Sequence, residues 1–564
     1  MQLLSKRRFI TKVVIVVVLA SLGIFVLLPT FYLISFTLTR WPEVYADVFA
    51  NPLIGDANWQ QILRYLAFSL RLSLVAVILD FLFGIPLAYF LARKQFFGKS
   101  LLEDIITLSL VIPTSGFGVA TLLTWTGVSG LGALVGRGIV ETSFVIPLVN
   151  VPFLMLLVHV ALTFPYIVRT LQGKLEDLEP AFEEASRTLG ASAFTTFRKV
   201  IFPLSLPALF SGGVLAFARS LGETGATMVV AGIHTTAPMA IIRWVSEFKL
   251  ATASFLGFLL IITATIAILL VDVLMQRGGG FKTLGFSITP RIGDKILKLE
   301  KAFSGKARWL KDFVSLAAVA VVVILPIIIV LTSVGAYWSA DPDTGKIQGS
   351  VLYQLFGPSN YFATIMKATL ISFLVAAIAT YIAACIAIPS VYLIKRYQNG
   401  RILRYLLRIP LIVPSSALGL SVLLLWGPSG LNLGTPGIWL IILTHIVFSV
   451  PVVMEPTIAA YEGSNVLRYE GVARTLGATP YDAIETVSLP MLKRGILAGV
   501  ILSFTRSLGE TGATFLVMGS DVTVPPLVVN MVESLATSAA LFASAYLIAL
   551  SLVLLLLFRI VVRR

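Results

Sequence analysis

Long apolar runs, separated by short polar segments, make up most of this chain. Each run reaches the roughly 20 residues that a helix needs to cross about 30 Å of hydrocarbon. The pattern therefore predicts twelve membrane spans, six in each half of the sequence. The first six are expected near residues 13–38, 65–91, 101–127, 142–168, 204–231 and 250–275. The second six are expected near residues 313–335, 363–394, 409–427, 437–460, 495–519 and 538–558.

Composition points to the same class of protein. Of the 564 residues, 57% are hydrophobic and 13% are charged, whereas soluble domains are nearer half apolar and a quarter charged. The chain is therefore predicted to be an all-α polytopic membrane protein. The first run is longer than the ~7–15 apolar residues of a signal peptide, so it is expected to remain as a span. Cys385, the single cysteine, excludes a disulfide within the chain and is expected to pack in a core.

Positive charge is concentrated in alternate loops. Counted from a cytoplasmic N-terminus, 33 of the 43 Lys and Arg residues fall on the predicted cytoplasmic side. Cytoplasmic loops of membrane proteins carry such an excess of cations, so the net charge of +15 reflects topology and no nucleic-acid partner is expected. Both termini and the basic segment 276–312 are predicted to be cytoplasmic, in a protein of the plasma (inner) membrane.

The two halves of the sequence resemble each other. The stretch "ARSLGETGAT" begins at Ala218 and "TRSLGETGAT" begins at Thr505, an offset of 287 residues that also relates Arg187 to Arg474. Six spans per half give both copies the same orientation, whereas the inverted repeats of many secondary transporters have opposite orientations. Two six-helix bundles related by a pseudo-two-fold axis normal to the membrane are expected. The predicted division is a first domain at 1–275, a cytoplasmic linker at 276–312 and a second domain at 313–564.

The third cytoplasmic loop of each half carries the most informative motif. It reads "LEPAFEEASRTLGASAFTTFRKVIFP" from Leu178 and "LRYEGVARTLGATPYDAIETVSLP" from Leu467. Apolar residues at helical spacing predict a short amphipathic helix in each copy, which Gly190 and Gly477 end. Acidic residues around the first helix argue against binding to anionic lipid. Docking in a groove on a cytoplasmic protein is therefore favoured.

This loop resembles the EAA loop of binding-protein-dependent ABC importer permeases, whose pattern is E-A-A, three residues, G, nine residues and I-x-L-P. The first copy matches with Glu184 as the acidic residue and Gly190 as the glycine. The second copy has Gly471 in place of the acidic residue, and Glu470 stands one position earlier, opposite Glu183. The resemblance assigns coupling to an ATPase to Glu183, Glu184, Ala185, Arg187, Gly190, Glu470, Ala473, Arg474 and Gly477.

The resemblance also implies a fold, a function and partners. The fold would be that of two type I ABC permease domains fused in one chain. The chain would be the transmembrane subunit of an ATP-driven importer, not an enzyme, with no catalytic residues, metal site or cofactor of its own. Two ABC ATPase subunits, expected as a homodimer, would bind ATP and Mg²⁺, and an extracellular or periplasmic binding protein would deliver substrate. "GKS" at Gly98 ends like a phosphate-binding loop, but Arg93 stands where the first glycine of that motif belongs.

Two charged pairs, Arg219 with Glu223 and Arg506 with Glu510, fall inside predicted spans. At positions i and i+4 of a helix, the members of each pair would share one face. Charges in hydrocarbon are costly unless they pair or face a cavity. Two interpretations stay open, namely an ion pair that locks the fifth span of each half and a gate or transient substrate site on the translocation pathway. Glycines within each motif are expected to let two backbones approach closely.

Four other polar residues fall within or near predicted spans. Arg71 and Asp80 have no equivalent pair in the second half and are interpreted as structural. His159 and His445 occupy similar places before the two loops and show no metal-ligand spacing. They are interpreted as helix-packing or interface residues.

The substrate is left open between two resemblances. The charged motif and residues 84–113 resemble molybdate, tungstate and sulfate permeases, whereas fusion of two permease domains is familiar among ferric-iron and thiamine permeases. An inorganic ion is expected, either an oxyanion or ferric iron, with thiamine or another small organic solute as the alternative. Two other classes fit less well. A secondary transporter independent of an ATPase would show inverted repeats, and a membrane enzyme would need nucleophiles or metal ligands such as H-E-x-x-H.

Overall fold

The structure, a computed structural model, describes the backbone of residues 13–50, 55–127, 130–131, 144–277, 308–398 and 400–563. Within these ranges, ten helices are long and apolar enough to cross a membrane, and two bent helix pairs meet the same test as pairs. This confirms an all-α polytopic chain with about twelve spans. Most of the predicted linker 276–312 lies outside the described residues, so its boundaries stay a prediction.

The first half consists of helices of very different lengths. They are α1 (Val13–Thr39), α2 (Trp41–Tyr45), α3 (Gly55–Arg93), α4 (Lys99–Val111), α5 (Thr114–Thr126), α6 (Phe153–Asp177), α7 (Ala181–Thr188), α8 (Phe197–Leu221), α9 (Gly225–Val230), α10 (Ala237–Ser246) and α11 (Leu250–Arg277). Two short strands, β1 (Val145–Ile146) and β2 (Val151–Pro152), pair antiparallel just before α6.

The second half repeats this order from α12 onwards. Its helices are α12 (Asp312–Ala336), α13 (Val351–Phe356), α14 (Tyr361–Arg396), α15 (Gly400–Ile412), α16 (Ser415–Trp426), α17 (Ile438–Gly463), α18 (Val466–Thr475), α19 (Pro480–Gly509), α20 (Gly512–Val517), α21 (Val524–Glu533) and α22 (Thr537–Arg563). The long helices correspond in pairs, α1 to α12, α3 to α14, α6 to α17, α8 to α19 and α11 to α22.

The predicted spans near 101–127 and 409–427 are each divided into two helices. The axes of α4 and α5 differ by 111°, and those of α15 and α16 differ by 104°. The breaks fall at Pro113 and Pro414, because a proline ring disfavours the helical conformation of the residue before it. Ile112 accordingly has an extended backbone, with φ −61° and ψ 133°.

Each bent pair carries the chain across the membrane once. The C-terminal ends of α3 and α6 lie side by side. Arg93 Nη2, at the end of α3, donates to the carbonyl oxygen of Leu178, directly after α6, at 3.3 Å. The two helices therefore run in the same direction. The segment between them, which contains α4 and α5, must cross the membrane once to reach the start of α6. In the second half, Lys395 at the end of α14 pairs with Glu462 at the end of α17, so the same argument holds there.

Packing does not follow the two sequence halves. One hydrophobic core joins α3–α6, α8 and α9 to α12, α13, α21 and α22 of the second half. The other joins α14–α20 to α1, α2, α10 and α11 of the first half. Polar contacts cross between the halves as well: Lys94 Nζ lies 2.7 Å from Asp312 Oδ2, and the Leu33 N–H donates to Ser421 Oγ at 3.0 Å. Each bundle is thus completed by the outer helices of the other half.

Candidate functional site

The two loop helices, α7 and α18, begin directly beyond the ends of α6 and α17. Each is followed by a glycine in the left-handed region, Gly190 with φ 86° and Gly477 with φ 95°, a conformation that side chains with a Cβ disfavour. The next N–H donates to a carbonyl oxygen five residues earlier, at 3.2 Å for Ala191 and 3.0 Å for Ala478. This is the Schellman ending, and both helices end where the sequence predicts.

The Glu183 carboxylate binds within the chain. Arg93 Nε, at the end of α3, lies 2.6 Å from Glu183 Oε1, and the Tyr89 hydroxyl donates to Oε2 at 3.1 Å. The glutamate side chain is 14% exposed. This contact fixes α7 to the end of the second span.

The second half builds the same contact from equivalent residues. Arg396, at the end of α14, pairs with Glu470, and the Ser488 hydroxyl donates to the other carboxylate oxygen. Glu470 is only 3% exposed. We call these two contacts, Arg93–Glu183 and Arg396–Glu470, the arginine anchors.

Sequence reasoning missed both anchoring arginines. A signal was present, because a tyrosine four residues before an arginine occurs at Tyr89 and Arg93 and again at Tyr392 and Arg396. The two copies stand at the same distance from the end of the second span in each half. The repeated tyrosine–arginine pair, outside the loop motif, is therefore the sequence signal for the two anchoring arginines.

The other residues assigned to coupling lie at or near the surface of the loop helices. Exposed members are Glu184, Ala185, Arg187, Gly190, Arg474 and Gly477, and Ala473 is half-buried. The shared "RTLGA" motif also presents a leucine in each copy, Leu189 at 88% exposure and Leu476 at 84%. Exposed apolar side chains of this kind, in matching places, are typical of a contact surface. Coupling to an ATPase stays a prediction for these residues.

The charged motif does not lie in one continuous helix, so that prediction is wrong. Glu223 and Glu510 follow the ends of α8 and α19, in turns that lead into α9 and α20. Each carboxylate accepts a hydrogen bond from an N–H at the start of the next helix, from Ala226 at 3.1 Å and from Ala513 at 3.2 Å. Unpaired N–H groups and the helix dipole favour a carboxylate there, which explains why the chain breaks its helix.

The two arginines of the motif have different partners. Arg219 Nη1 lies 2.7 Å from Glu223 Oε2. Among the described residues, Arg506 forms no ion pair, and its Nε is buried without an acceptor. Its guanidinium carbon instead lies 5.3 Å from the centroid of the Phe448 ring. The interpretation as a locking ion pair therefore fits the first copy only.

The two turns meet at the pseudo-two-fold axis. A Cβ added at Gly225 would lie 2.5 Å from Thr511 Oγ1, and one added at Gly512 would lie 2.7 Å from Thr224 Oγ1. These contacts confirm the close approach expected at the glycines. Because α8 and α19 run from the loop helices toward these turns, the contacts close the interface on the side away from the loop helices.

A cavity of about 160 Å³ lies between the two halves at this level. All four charged residues of the repeated motif line it, together with the hydroxyl residues Thr114, Tyr166, Thr224, Ser415, Thr505 and Thr511. Apolar side chains also line the cavity, among them Leu110, Leu411 and Leu502. Two distant stretches of sequence thus contribute to one site.

A buried histidine bridges each turn. His159 Nδ1 lies 2.7 Å from Ser220 Oγ, before the turn, and Nε2 lies 3.0 Å from Thr227 Oγ1, after it. His445 makes the same two contacts in the second half, at 2.6 and 3.0 Å. The prediction that these histidines are packing residues is confirmed. Because α6 continues directly into α7, the histidine also connects the turn to a loop helix.

Comparison with known proteins identifies the family. Residues 84–277 match the family model described as binding-protein-dependent transport system inner membrane component. The probable sulfate transport system permease protein of Chlorella vulgaris is 32% identical over 235 residues, which cover 39% of this chain and 85% of that protein. The chain belongs to this family.

Other relatives of this permease agree. The sulfate transport system permease protein of Salmonella typhimurium is 32% identical over 247 residues, covering 42% of this chain and 82% of that protein. The molybdenum transport system permease protein of Haemophilus influenzae is 35% identical over 198 residues, covering 31% of this chain and 79% of that protein.

Family membership confirms a transport subunit rather than an enzyme. The permease is a multi-pass inner-membrane component of an importer that works with a substrate-binding protein and with ATPase subunits. A secondary transporter that needs no ATPase, and a membrane enzyme, are both excluded as classes for this permease.

Of three single residues in the spans, the structure supports the predictions for Asp80 and Arg71 but not for Cys385. Asp80 is fully buried and accepts a hydrogen bond from the Thr163 hydroxyl at 2.6 Å, and the Arg71 guanidinium carbon lies 5.8 Å from the Phe68 ring centroid. Both contacts fit the structural role. Cys385 is exposed on α14, so the prediction of a buried cysteine is wrong. Outer helix faces in a membrane protein are themselves apolar, and an apolar run does not separate them from inner faces.

Proposed function

We propose that this permease carries a tetrahedral inorganic oxyanion of the sulfate, molybdate and tungstate class into the cell, driven by partner ATPase subunits. Relatives named for sulfate and molybdenum transport support this substrate class. The observation that carries the proposal is the cavity at the pseudo-two-fold axis, lined by two arginines and six hydroxyl residues. Cations and hydroxyl donors suit an oxyanion, because both donate hydrogen bonds.

The cavity serves as part of the translocation pathway in this proposal. Its two glutamates each accept a hydrogen bond from a backbone N–H, so their charge is offset within the protein. This weakens the argument for a cationic substrate, ferric iron or thiamine, which would need unpaired carboxylates. Contacts between the turns close the cavity on the side away from the loop helices, which corresponds to an inward-facing state if the loop helices are cytoplasmic.

The loop helices α7 and α18 are the docking elements for two ATPase subunits in this proposal. Their shared ending, with exposed Leu189 and Leu476, allows two identical grooves to receive them, which supports a homodimeric ATPase. ATP and Mg²⁺ would bind in those partners, and the permease would carry no cofactor. The basic segment 276–312 and both termini would then be cytoplasmic, as the distribution of Lys and Arg indicates.

Uptake measurements test the substrate. Cells that lack their own sulfate and molybdate permeases would express this chain with its ATPase and binding protein. We expect ATP-dependent accumulation of labelled molybdate, tungstate or sulfate, and none of labelled ferric iron or thiamine. Accumulation of iron or thiamine without any oxyanion would overturn the proposed substrate class while leaving the family unchanged.

Thiol labelling tests the orientation. Because Cys385 is exposed, it is first replaced by serine. Single cysteines are then placed at Lys295→Cys in the basic segment and at Lys346→Cys between α12 and α13. A membrane-impermeant thiol reagent on intact cells should label the second variant only. The reverse pattern would place the loop helices outside the cell and remove the ATPase-docking role.

A further inference from the structure

The two copies of the charged motif differ at the arginine, and this difference points to a binding site. In the first copy, Arg219 and Glu223 form an ion pair of 2.7 Å, so each charge has a partner. In the second copy, Arg506 lines the same cavity but forms no ion pair within the described part of the chain. Among the described residues, one guanidinium in the cavity is therefore without an ion-pair partner.

Glu510, next to Arg506, makes the backbone contact of its counterpart Glu223 but, among the described residues, does not pair with its arginine. Glu510 Oε1 accepts from the Ala513 N–H at 3.2 Å, and the Glu510 backbone oxygen accepts from the Thr514 hydroxyl at 3.2 Å. These contacts hold the glutamate at the start of α20. Arg506 Nε, meanwhile, is buried without a hydrogen-bond acceptor in the described part of the chain, and buried polar groups of this kind are rarely left unsatisfied.

Hydroxyl groups surround the same space. Thr114 and Ser415 are the first residues of α5 and α16 and line the cavity. Thr114 is only 8% exposed, and its hydroxyl makes no hydrogen bond to another described residue. The first N–H groups of these two helices, which are 13 and 12 residues long, have no partner within the helix. A negatively charged ligand would satisfy both kinds of donor.

We propose that the cavity is a weak oxyanion site in which Arg506 supplies the charged contact and Thr114 and Ser415 supply hydrogen bonds. Arg219 has a different task in this proposal, since it neutralises Glu223 and stabilises the turn. A volume of roughly 10–15 Å³ already holds one water, so about 160 Å³ admits a small ion with part of its hydration shell. The site carries equal numbers of arginines and glutamates, which keeps binding weak enough for release, as a conducting pathway requires.

This inference rests on the proposed function, and its test separates the two. The purified complex of permease and ATPase, without the binding protein, is dialysed against labelled molybdate, and uptake per ATP hydrolysed is measured in cells. We expect Arg506→Gln to weaken molybdate binding roughly tenfold, the effect of removing a hydrogen-bonded charge, with unchanged assembly. Arg219→Gln should instead lower the yield and thermal stability of the complex, because Glu223, at 2% exposure, loses its cation.

A second pair of variants keeps the test decisive if Arg506→Gln does not assemble. Thr114→Val removes one cavity hydroxyl at nearly constant shape. Its matched control is Thr121→Val on the same helix, whose buried hydroxyl has no partner among the described residues and lies outside the cavity. Thr114→Val should weaken molybdate binding several-fold and Thr121→Val should not. If the wild-type complex transports molybdate but Arg506→Gln and Thr114→Val bind it as tightly as wild type, the inference on this site fails and the proposed function stands. If the wild-type complex transports no oxyanion, the proposed function fails.

Discussion

Helix α7 presents an exposed carboxylate at Glu184 beside the exposed Arg187, whereas its counterpart α18 presents Arg468 and Arg474 with its one glutamate buried. The two helices nevertheless end in the same way and are held by the same kind of arginine anchor. If identical ATPase subunits receive both helices, the exposed carboxylate cannot be what they recognise, whereas Arg187 and Arg474 are exposed in both copies. The anchor and the "RTLGA" ending are present in both helices, whereas the acidic surface residue is present in α7 only.

The anchor differs in depth between the halves. Each glutamate has one arginine and one hydroxyl donor, Ser488 for Glu470 and Tyr89 for Glu183, but Glu470 is 3% exposed and Glu183 is 14% exposed. Removal of the arginine should therefore matter more in the second half than in the first, although the motif is the same.

Breaking the anchors gives the largest expected effect. Arg396→Gln leaves a buried carboxylate without its cation and should destabilise the complex by roughly 3 kcal/mol, the lower end for a broken buried pair. Arg93→Gln should cost about 1–2 kcal/mol, since Glu183 is more exposed to water than Glu470. Thermal denaturation of the purified permease–ATPase complex ranks the two variants. The double change Arg396→Gln with Glu470→Gln should recover part of the loss, and equal effects of the two single changes would contradict the difference in depth.

The exposed leucines should have the next largest effect, on assembly rather than on folding. Leu189→Ser and Leu476→Ser remove side chains that are almost fully exposed in the permease alone, so its own stability should not change. If both enter grooves on the ATPase, each change should weaken binding by roughly 1.5–3 kcal/mol, the value of burying a leucine. Co-purification of the ATPase at graded concentrations measures this. Full retention in both variants would show that the "RTLGA" endings are not the contact.

The glycines that end the loop helices should have a smaller effect. Gly190→Val and Gly477→Val force a β-branched residue into the left-handed region, at about 1–2 kcal/mol, although an added Cβ meets no atom within 4 Å. Asparagine tolerates that region better, so Gly190→Asn and Gly477→Asn are the matched controls. Hydrolysis of ATP stimulated by the binding protein should fall in the valine variants and stay near normal in the asparagine variants. A similar fall in both would indicate a contact at the glycine itself rather than a backbone effect.

Surface charge should matter least. Glu184→Gln in α7 and Gly471→Glu in α18 make the two helices more alike, and each should alter ATPase binding by less than about 1 kcal/mol, as for exposed ion pairs. Binding measured at two salt concentrations checks this. A large loss in Glu184→Gln alone would mean that the two ATPase subunits make different contacts, which would argue against identical grooves.

Some helix ends in this structure can be predicted from the sequence and others cannot. Helix endings at Gly190 and Gly477 follow from local chemistry, because the left-handed conformation favours glycine whatever surrounds it. The breaks at Pro113 and Pro414 were also visible as prolines, yet both stretches were predicted as single spans because their apolar character continues across the break. Glu223 was predicted in a helix for the same reason, since spacing cannot tell a continuing helix from one whose end the glutamate caps.

The number and type of spans, the parallel repeat and the two loop motifs follow from the sequence, because hydrophobic length, charge distribution and spacing act along the chain. Three features follow from the packing of distant segments: the halves exchange their outer helices, Arg93 and Arg396 hold the loop helices, and the two charged turns form one cavity. These features depend on contacts between residues far apart in sequence. The different partners of Arg219 and Arg506 show the reason most directly: the motif around both is identical, and the surrounding packing alone sets which arginine finds a carboxylate.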